Sequence, residues 1–400
     1  MMGRKVLLSL ILVGSALSFI ACEELFPEAP AEDEILDGPM AELTHEQQQR
    51  FLAGDIAFND EIFTPESGLG PIFVATSCGS CHAGDGKGHP FTTLPRFGQT
   101  QTNTANDRSI GGPQLQHRAI LGHEPEQVPD GVPSMKFTPP AVTGLGLLAA
   151  LTDEQILANA DPDDSDGDGI SGVPNYLIPP NYFVPQPFHQ PMNGRFIGRF
   201  GKKAATIDLL QQTVTAYNQD MGVTSTFEPI DVATGLTIDP EVTDQTVRDV
   251  VFYLRTLKAP IQRNPKDEAV VQGKELFTDL QCGSCHVPAW TTPFSDIAAL
   301  SDQTFYPYTD LLLHDMGPEL DDGATEGSAQ TSEWRTPPLW GLGLAPNSQG
   351  GEFFLMHDGR ARSIEEAILM HGGEAASSRD NFQQLNATDQ QKLIRFLTSL

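Results

Sequence analysis

The chain of 400 residues is poor in positive charge: Lys and Arg number 24 against 53 Asp and Glu, for a formal net charge of −29. No basic face is evident to meet phosphates, which excludes nucleic-acid binding. The acid excess favours solubility and steers basic proteins toward the surface. Long apolar runs are lacking beyond the N-terminus. The one present, Val6 to Ile20, follows Met1-Met2-Gly3-Arg4-Lys5 and is too short for a comfortable membrane span. Cysteine is scarce, at five, and tryptophan scarcer, at three (Trp290, Trp334 and Trp340). Apolar content is modest while Gly (37) and Pro (31) are abundant, so a loop-rich protein is expected, with something besides side chains filling its core.

Four of the five cysteines fall in two copies of one text. Cys78-Gly79-Ser80-Cys81-His82 and Cys282-Gly283-Ser284-Cys285-His286 both read C-x-x-C-H. At that spacing two thiols form thioethers to one haem and the following His ligates its iron. A zinc site would join both pairs into one cluster and leave each His unexplained. A thioredoxin-like pair needs a strand before it and a helix after it, and neither match has that setting. The expectation is two haem c groups, attached through Cys78, Cys81, Cys282 and Cys285, with His82 and His286 as proximal iron ligands.

The fifth cysteine closes Phe19-Ile20-Ala21-Cys22, which resembles a bacterial lipobox with Phe at the usual Leu position. Residues 1–21 then read as a lipoprotein signal peptide and Cys22 as the lipidated first residue of the mature chain; the alternative is an ordinary cleaved signal with a spare cysteine. Either reading exports the chain, as haem c attachment requires. The expected location is the bacterial periplasm, lipid-anchored to the outer membrane. No cysteine remains for a disulfide or for thiol chemistry. Residues 22–43, rich in Glu, Asp, Pro and Ala, read as an acidic disordered tether.

An internal repeat sets the domain count. Thr44 with Gln47 forms a capping-box signature ahead of a helix to about Phe58 that contains Phe51, Leu52, Ile56 and Phe58. Its Gly54 and Phe58, four residues apart, reappear as Gly273 and Phe277 before the second haem motif. Glycine inside a helix wants a packing reason. Later, Thr243-Asp244-Gln245 and Thr388-Asp389-Gln390 each open an amphipathic helix. The fold class is therefore mainly α, with two cytochrome c-like helical domains at 44–258 and 266–400. Residues 259–265 are the linker, and the first domain is enlarged by long loops.

Within that enlargement, Asp164, Asp166 and Asp168 followed by Gly169 match the start of a D-x-D-x-D-G calcium loop, although Asn175 stands where a bidentate Glu is expected. The readings are Ca2+ or a solvated acidic turn. Distal haem ligands cannot be spaced from sequence. The candidates are His117, His123, Met135, His189, Met192 and Met221 in the first half, and Met316, Met356, His357, Met370 and His371 in the second.

The string Phe354-Leu355-Met356-His357-Asp358-Gly359-Arg360, continuing to Glu365-Glu366-Ala367, resembles the H-D-G-R segment of the bacterial dihaem cytochrome c peroxidases and MauG. More closely, the chain is similar to the dihaem oxidoreductase family. It shares Gly198-Arg199-Phe200-Gly201, Asp220-Met221-Gly222, His314-Asp315-Met316-Gly317, Thr336-Pro337-Pro338-Leu339-Trp340-Gly341 and His371-Gly372-Gly373-Glu374 over roughly 45–400. The resemblance implies a reactive first haem, an electron-transferring second haem and a calcium ion between domains. Counting along the family pattern from His357 lands on His371 as distal ligand of the second haem, with Met316 as runner-up. Gln114, Gln116 and Glu124 are the candidates for polar groups over the first haem, a glutamate there being able to move peroxide protons. In the peroxidase relatives a Trp bridges the haems, and in this family a Trp follows Gly-Arg-Phe-Gly; here Lys202 stands in that place. The label thiol oxidoreductase, sometimes given to this family, finds no free cysteine to support it. The resulting reading is an exported dihaem cytochrome with peroxidase-like chemistry at the first haem, serving redox partner proteins. The alternative is a non-catalytic electron-transfer cytochrome.

Overall fold

The computed structural model describes residues 30–97 and 112–400. The signal segment and Cys22 lie outside them. Contacts divide the chain into one unit of residues 1–35, in which a single turn at Glu32–Glu34 is described, and a second of residues 36–400. Among its described residues the second unit holds ten short α-helices: α1 His45–Asp55, α2 Leu145–Ala149, α3 Asp153–Leu157, α4 Leu209–Met221, α5 Asp244–Thr256, α6 Glu268–Asp279, α7 Ala345–Ser348, α8 Ile364–Leu369, α9 Ala376–Gln384 and α10 Ala387–Ser399. Strands are short and pair there as two-stranded antiparallel ribbons. The two that matter for the site join β1 (Leu94–Phe97) to β2 (Ser134–Phe137) and β3 (Leu313–Asp315) to β4 (Glu333–Arg335).

The predicted helix after Thr44 is present. Thr44 Oγ1 accepts from the Gln47 amide and Gln47 Oε1 accepts from the Thr44 amide. Phe51, Gly54 and Phe58 face inward while Leu52 and Ile56 are exposed. The helix widens into a π-turn over Ile56–Asp60, which keeps Phe58 on the buried side. α5 and α10 are both capped, but α10 begins two residues earlier than its sequence signature, with Asn386 Oδ1 accepting from the Asp389 amide.

The two glycines have the same packing reason. A Cβ on Gly54 would collide with the Asp249 carbonyl oxygen of α5 and stand 2.6 Å from Tyr253 Cβ. A Cβ on Gly273 would collide with the Lys392 carbonyl of α10 and stand 2.7 Å from Phe396 Cβ. Each haem-motif helix thus crosses a later capped helix in backbone contact. One turn on, Phe58 packs 5.5 Å from Tyr253 and 5.8 Å from His82, centroid to centroid. Phe277 repeats this with Phe396 at 5.5 Å and His286 at 6.4 Å.

Residues 36–43, expected to belong to a disordered tether, are packed instead. Leu36 and Leu43 are buried, Met40 donates its amide to the Thr256 carbonyl, and Lys258 donates to the Gly38 carbonyl. The few apolar residues among the acids of 36–43 are enough to strap that segment to the end of α5. Among the described residues, no helix is long and apolar enough to cross a membrane.

Candidate functional site

One cavity of about 610 Å³ is lined by residues of both motifs: Cys78, Cys81 and His82 from the first, Cys282, Cys285 and His286 from the second. Its wall is predominantly apolar and is drawn from α4, α5, α8, α10 and the segments between β1 and α2. Each motif follows its helix after a short turn, so the Gly-anchored crossings hold both motifs against this space.

The two imidazoles are set alike. His82 Nδ1–H donates to the Pro140 carbonyl at 2.9 Å, and His286 Nδ1–H donates to the Tyr308 carbonyl at 3.0 Å. These bonds leave Nε2 of each ring as the free acceptor, the arrangement a metal-bound imidazole needs. Burial pushes both rings down to about 4 against the opposing pull of those carbonyls, so both stay neutral and able to ligate. Burial likewise lifts Cys78 and Cys282 to about 12 and Cys81 to about 11, with Asp220 adding to the first pair. Such thiols are held protonated, unlike the low-pKa thiolates of redox-active C-x-x-C pairs.

On the second motif's side, His371 completes a matching pair. Its Nδ1–H donates to the Ala367 carbonyl at 2.7 Å, its ring lines the cavity, and its charge would depress His286. Met316, Met356 and His357 also line the cavity, whereas Met370 packs into the apolar cluster around α8 and α10. His314 lies behind Cys285. Burial alone would lower it, but hydrogen bonds to Asp310 (2.8 Å), Cys285 and Glu374 (2.7 Å) outweigh that and carry it up to about 12, so it is a buried imidazolium between two carboxylates. Glu374 also accepts from the Ser171 amide and hydroxyl, joining the acidic loop of the first half to the second motif.

On the first motif's side, the sequence candidates divide. Gln114 is buried, lines the cavity, and accepts from Arg96 Nη1 at 3.2 Å. Gln116 is buried but spends its amide on the Gln219 carbonyl and is not part of the lining. Glu124 is exposed and outside the cavity. The carboxylates that reach the cavity are instead Asp220 on α4 and Glu326, which holds Arg96 Nε at 2.5 Å. Burial raises Asp220 to about 7, with Arg96 pulling the other way. Of the six first-half ligand candidates only Met221 lines the cavity; His117, His123 and Met192 are exposed, Met135 packs among Phe137 and Trp334, and His189 among Phe183, Phe188 and Phe196. Asp220 and Met221 stand within a recognisable string of the sequence, but nothing in its local pattern distinguishes a cavity wall from a helix end.

Lys202 lies on the cavity wall, close enough to His82 to depress it. An indole nevertheless reaches the cavity from the second half. Trp334 stacks on His357 at 3.6 Å with an interplanar angle of 8°, and Lys203 Nζ stands 3.9 Å from its ring centroid.

The acidic loop gathers a different set from the one its text suggests. Among the described residues, the one group of ligand atoms close enough for a shared cation is Asp161, Asp164 and Asp166. Asp168 turns back to accept from the Ile170 amide, and Asn175 is buried, bonded to the Lys203 and Glu326 carbonyls. The loop closes on Asp161, whose carboxylate accepts from the Ser165 and Asp166 amides, while Asp164 accepts from the Gly169 amide.

The residues fit a haem pair: four neutral thiols and two neutral imidazoles open onto one apolar cavity, and the buried hydroxyls of Thr138, Thr213 and Tyr217 on its wall have no protein partner. A sequence profile described as "Di-haem oxidoreductase, putative peroxidase" matches residues 134–400. Among solved structures, hydrazine synthase of Kuenenia stuttgartiensis is similar at 15% identity, covering 94% of both chains, with a TM-score of 0.40. A MauG-like protein associated with microbial copper homeostasis is similar at 14% identity, also 94% of both chains, TM-score 0.42. A variant of the diheme peroxidase BthA from Burkholderia thailandensis is similar at 13% identity over 93% of this chain and 88% of that one, TM-score 0.40. No curated protein matches.

Proposed function

The chain belongs to the di-haem oxidoreductase family and is a dihaem redox protein; from that premise we propose that it binds two haem c groups, passes electrons between them, and reduces peroxide at the first. The observation that carries this reading is the single cavity onto which both C-x-x-C-H motifs open with Nε2 of each His free. Cys78, Cys81, Cys282 and Cys285 would carry the covalent attachment, and His82 and His286 would hold the irons. His371 would be the second protein ligand to the second haem, a reading supported by its Nδ1 anchor and its place on the wall. Met316 is the runner-up.

A haem at the first site would supply one-electron chemistry and a position for a small oxidant. The chain's own part there is polar and local. Arg96, held by Glu326 and by Gln114, presents a fixed cation in an apolar wall. Asp220, rather than Glu124, holds or moves the proton through its carboxylate, because its value near 7 suits transfer in either direction at neutral pH. Asp220→Asn is expected to lower peroxide turnover by about 10²–10⁴-fold. The native pH–rate profile is expected to inflect around pH 7 and the variant's to be flat there; an unchanged profile in stopped-flow assays removes Asp220 from the proton path.

Optical and EPR spectra of the purified holoprotein, oxidised and half-reduced, with and without calcium and peroxide, test the whole reading. A high-spin signal that appears on half-reduction and vanishes with peroxide is the expected result. Two low-spin signals indifferent to peroxide make the protein an electron-transfer cytochrome. Calcium at Asp161, Asp164 and Asp166 belongs to the proposal, as do export, a lipid anchor at Cys22 in the periplasm and docking to a redox partner protein.

A further inference from the structure

Three cations converge on the cavity from three separate segments. Lys87 comes from the loop after the first motif, Lys202 from the turn after Phe200, and Arg335 from β4. The last two are locked together: the Arg335 amide donates to the Lys202 carbonyl at 2.9 Å and its Nε to the Gly201 carbonyl at 2.8 Å. Neither lysine ammonium has a hydrogen-bond acceptor among the described residues. Burial drives Lys202 well below its ordinary value, and Lys87 and Arg335 repel it further; Lys87 is pushed down to about 8 and Arg335 to about 10. The carboxylate that draws on both lysines, Asp358, is already held by Arg360 Nε at 2.8 Å. Beside them Thr138, fully buried on the same wall, carries a hydroxyl without a partner, one residue from the Pro139 carbonyl that receives the Gly88 amide.

Cations held against an apolar wall without an anion are unfavourable until they are paired. What would relieve this cluster is an anion with several oxygens entering the cavity, and carboxylates are what a haem carries at its rim. The cluster shares its cavity with both motifs. Lys202 acts on His82, and Arg335 is drawn by Asp310, which also acts on His286.

We propose that Lys87, Lys202 and Arg335, with the Thr138 hydroxyl, form one shared clamp for haem propionates that orients both haems and raises their reduction potentials together. The proposal rests on the dihaem reading above. Its physical basis is direct: a fixed positive charge near an iron favours the less positive, reduced state, and fixed charges in a dry site act more strongly than in water.

The test uses the holoprotein with Lys202→Gln, Lys202→Arg and Lys87→Gln. Haem is counted by pyridine haemochrome, potentials are read by spectroelectrochemical titration, and the propionate bending modes by resonance Raman. Lys202→Gln should keep two haems and lower the reduced-to-oxidised ratio of both by about tenfold at fixed potential, about 59 mV for one electron; a change confined to one haem overturns the sharing. The Gln variant should also shift a propionate mode, and Lys202→Arg should restore both. Two haems with unaltered potentials and propionate modes in both Gln variants overturn the clamp. Fewer than two haems in the unaltered protein overturns the dihaem reading instead. If Lys202→Gln does not accumulate, Lys87→Gln read by the same potentials and modes decides.

Discussion

Alanine in place of both Cys78 and Cys81 is expected to abolish peroxide turnover and leave one haem per chain, counted by pyridine haemochrome. The two motifs share one cavity but not their supports. The first hangs on α1 and α5 through Gly54, and the second on α6 and α10 through Gly273. Loss of the first pair therefore leaves the second motif, the Tyr308 carbonyl and His371 in place. The polar groups suited to a small oxidant, Arg96, Gln114 and Asp220, lie on the first motif's side, where Asp220 acts on Cys78 and Cys81. Turnover surviving in this variant would move the reactive site to the second haem.

The second large effect is on stability. Valine at Gly54 or Gly273 should each cost more than about 3 kcal/mol, beyond ordinary overpacking, because the obstacle is a backbone carbonyl rather than a side chain able to move. The helices must then separate, and the Phe58 and Phe277 contacts with His82 and His286 go with them. Gly283→Ala is the control. Its Cβ would meet Phe277 at 3.9 Å, ordinary contact, and stability should barely change. Denaturant unfolding of the three holoproteins checks the contrast; equal losses at all three positions would show that the crossings are not what holds the motifs.

The parallel between Gly54 with Phe58 and Gly273 with Phe277 is legible in the amino-acid sequence, because a helical turn writes packing demands four residues apart. The capping box at Thr44 is legible for the same reason. Asp161 is harder to see as the third carboxylate of the acidic turn, since it stands outside the D-x-D-x-D text and joins only when the loop closes. Glu124 looks right by residue type and sits exposed, while Asp220 looks like a helix end and lines the cavity. Residue type tells what a side chain can do, whereas its direction is set by what the segment packs against.

By itself the sequence determined the two C-x-x-C-H motifs, the histidine that closes each and the glycine-bearing helix that precedes each, all of which depend on spacings within one segment. Tertiary structure alone decided the walls of the cavity. Arg96 meets Glu326 across 230 positions, and Lys87, Lys202 and Arg335 converge from three segments with no shared pattern. Charges that distant are brought together by the burial of apolar surface around them, which no local spacing encodes.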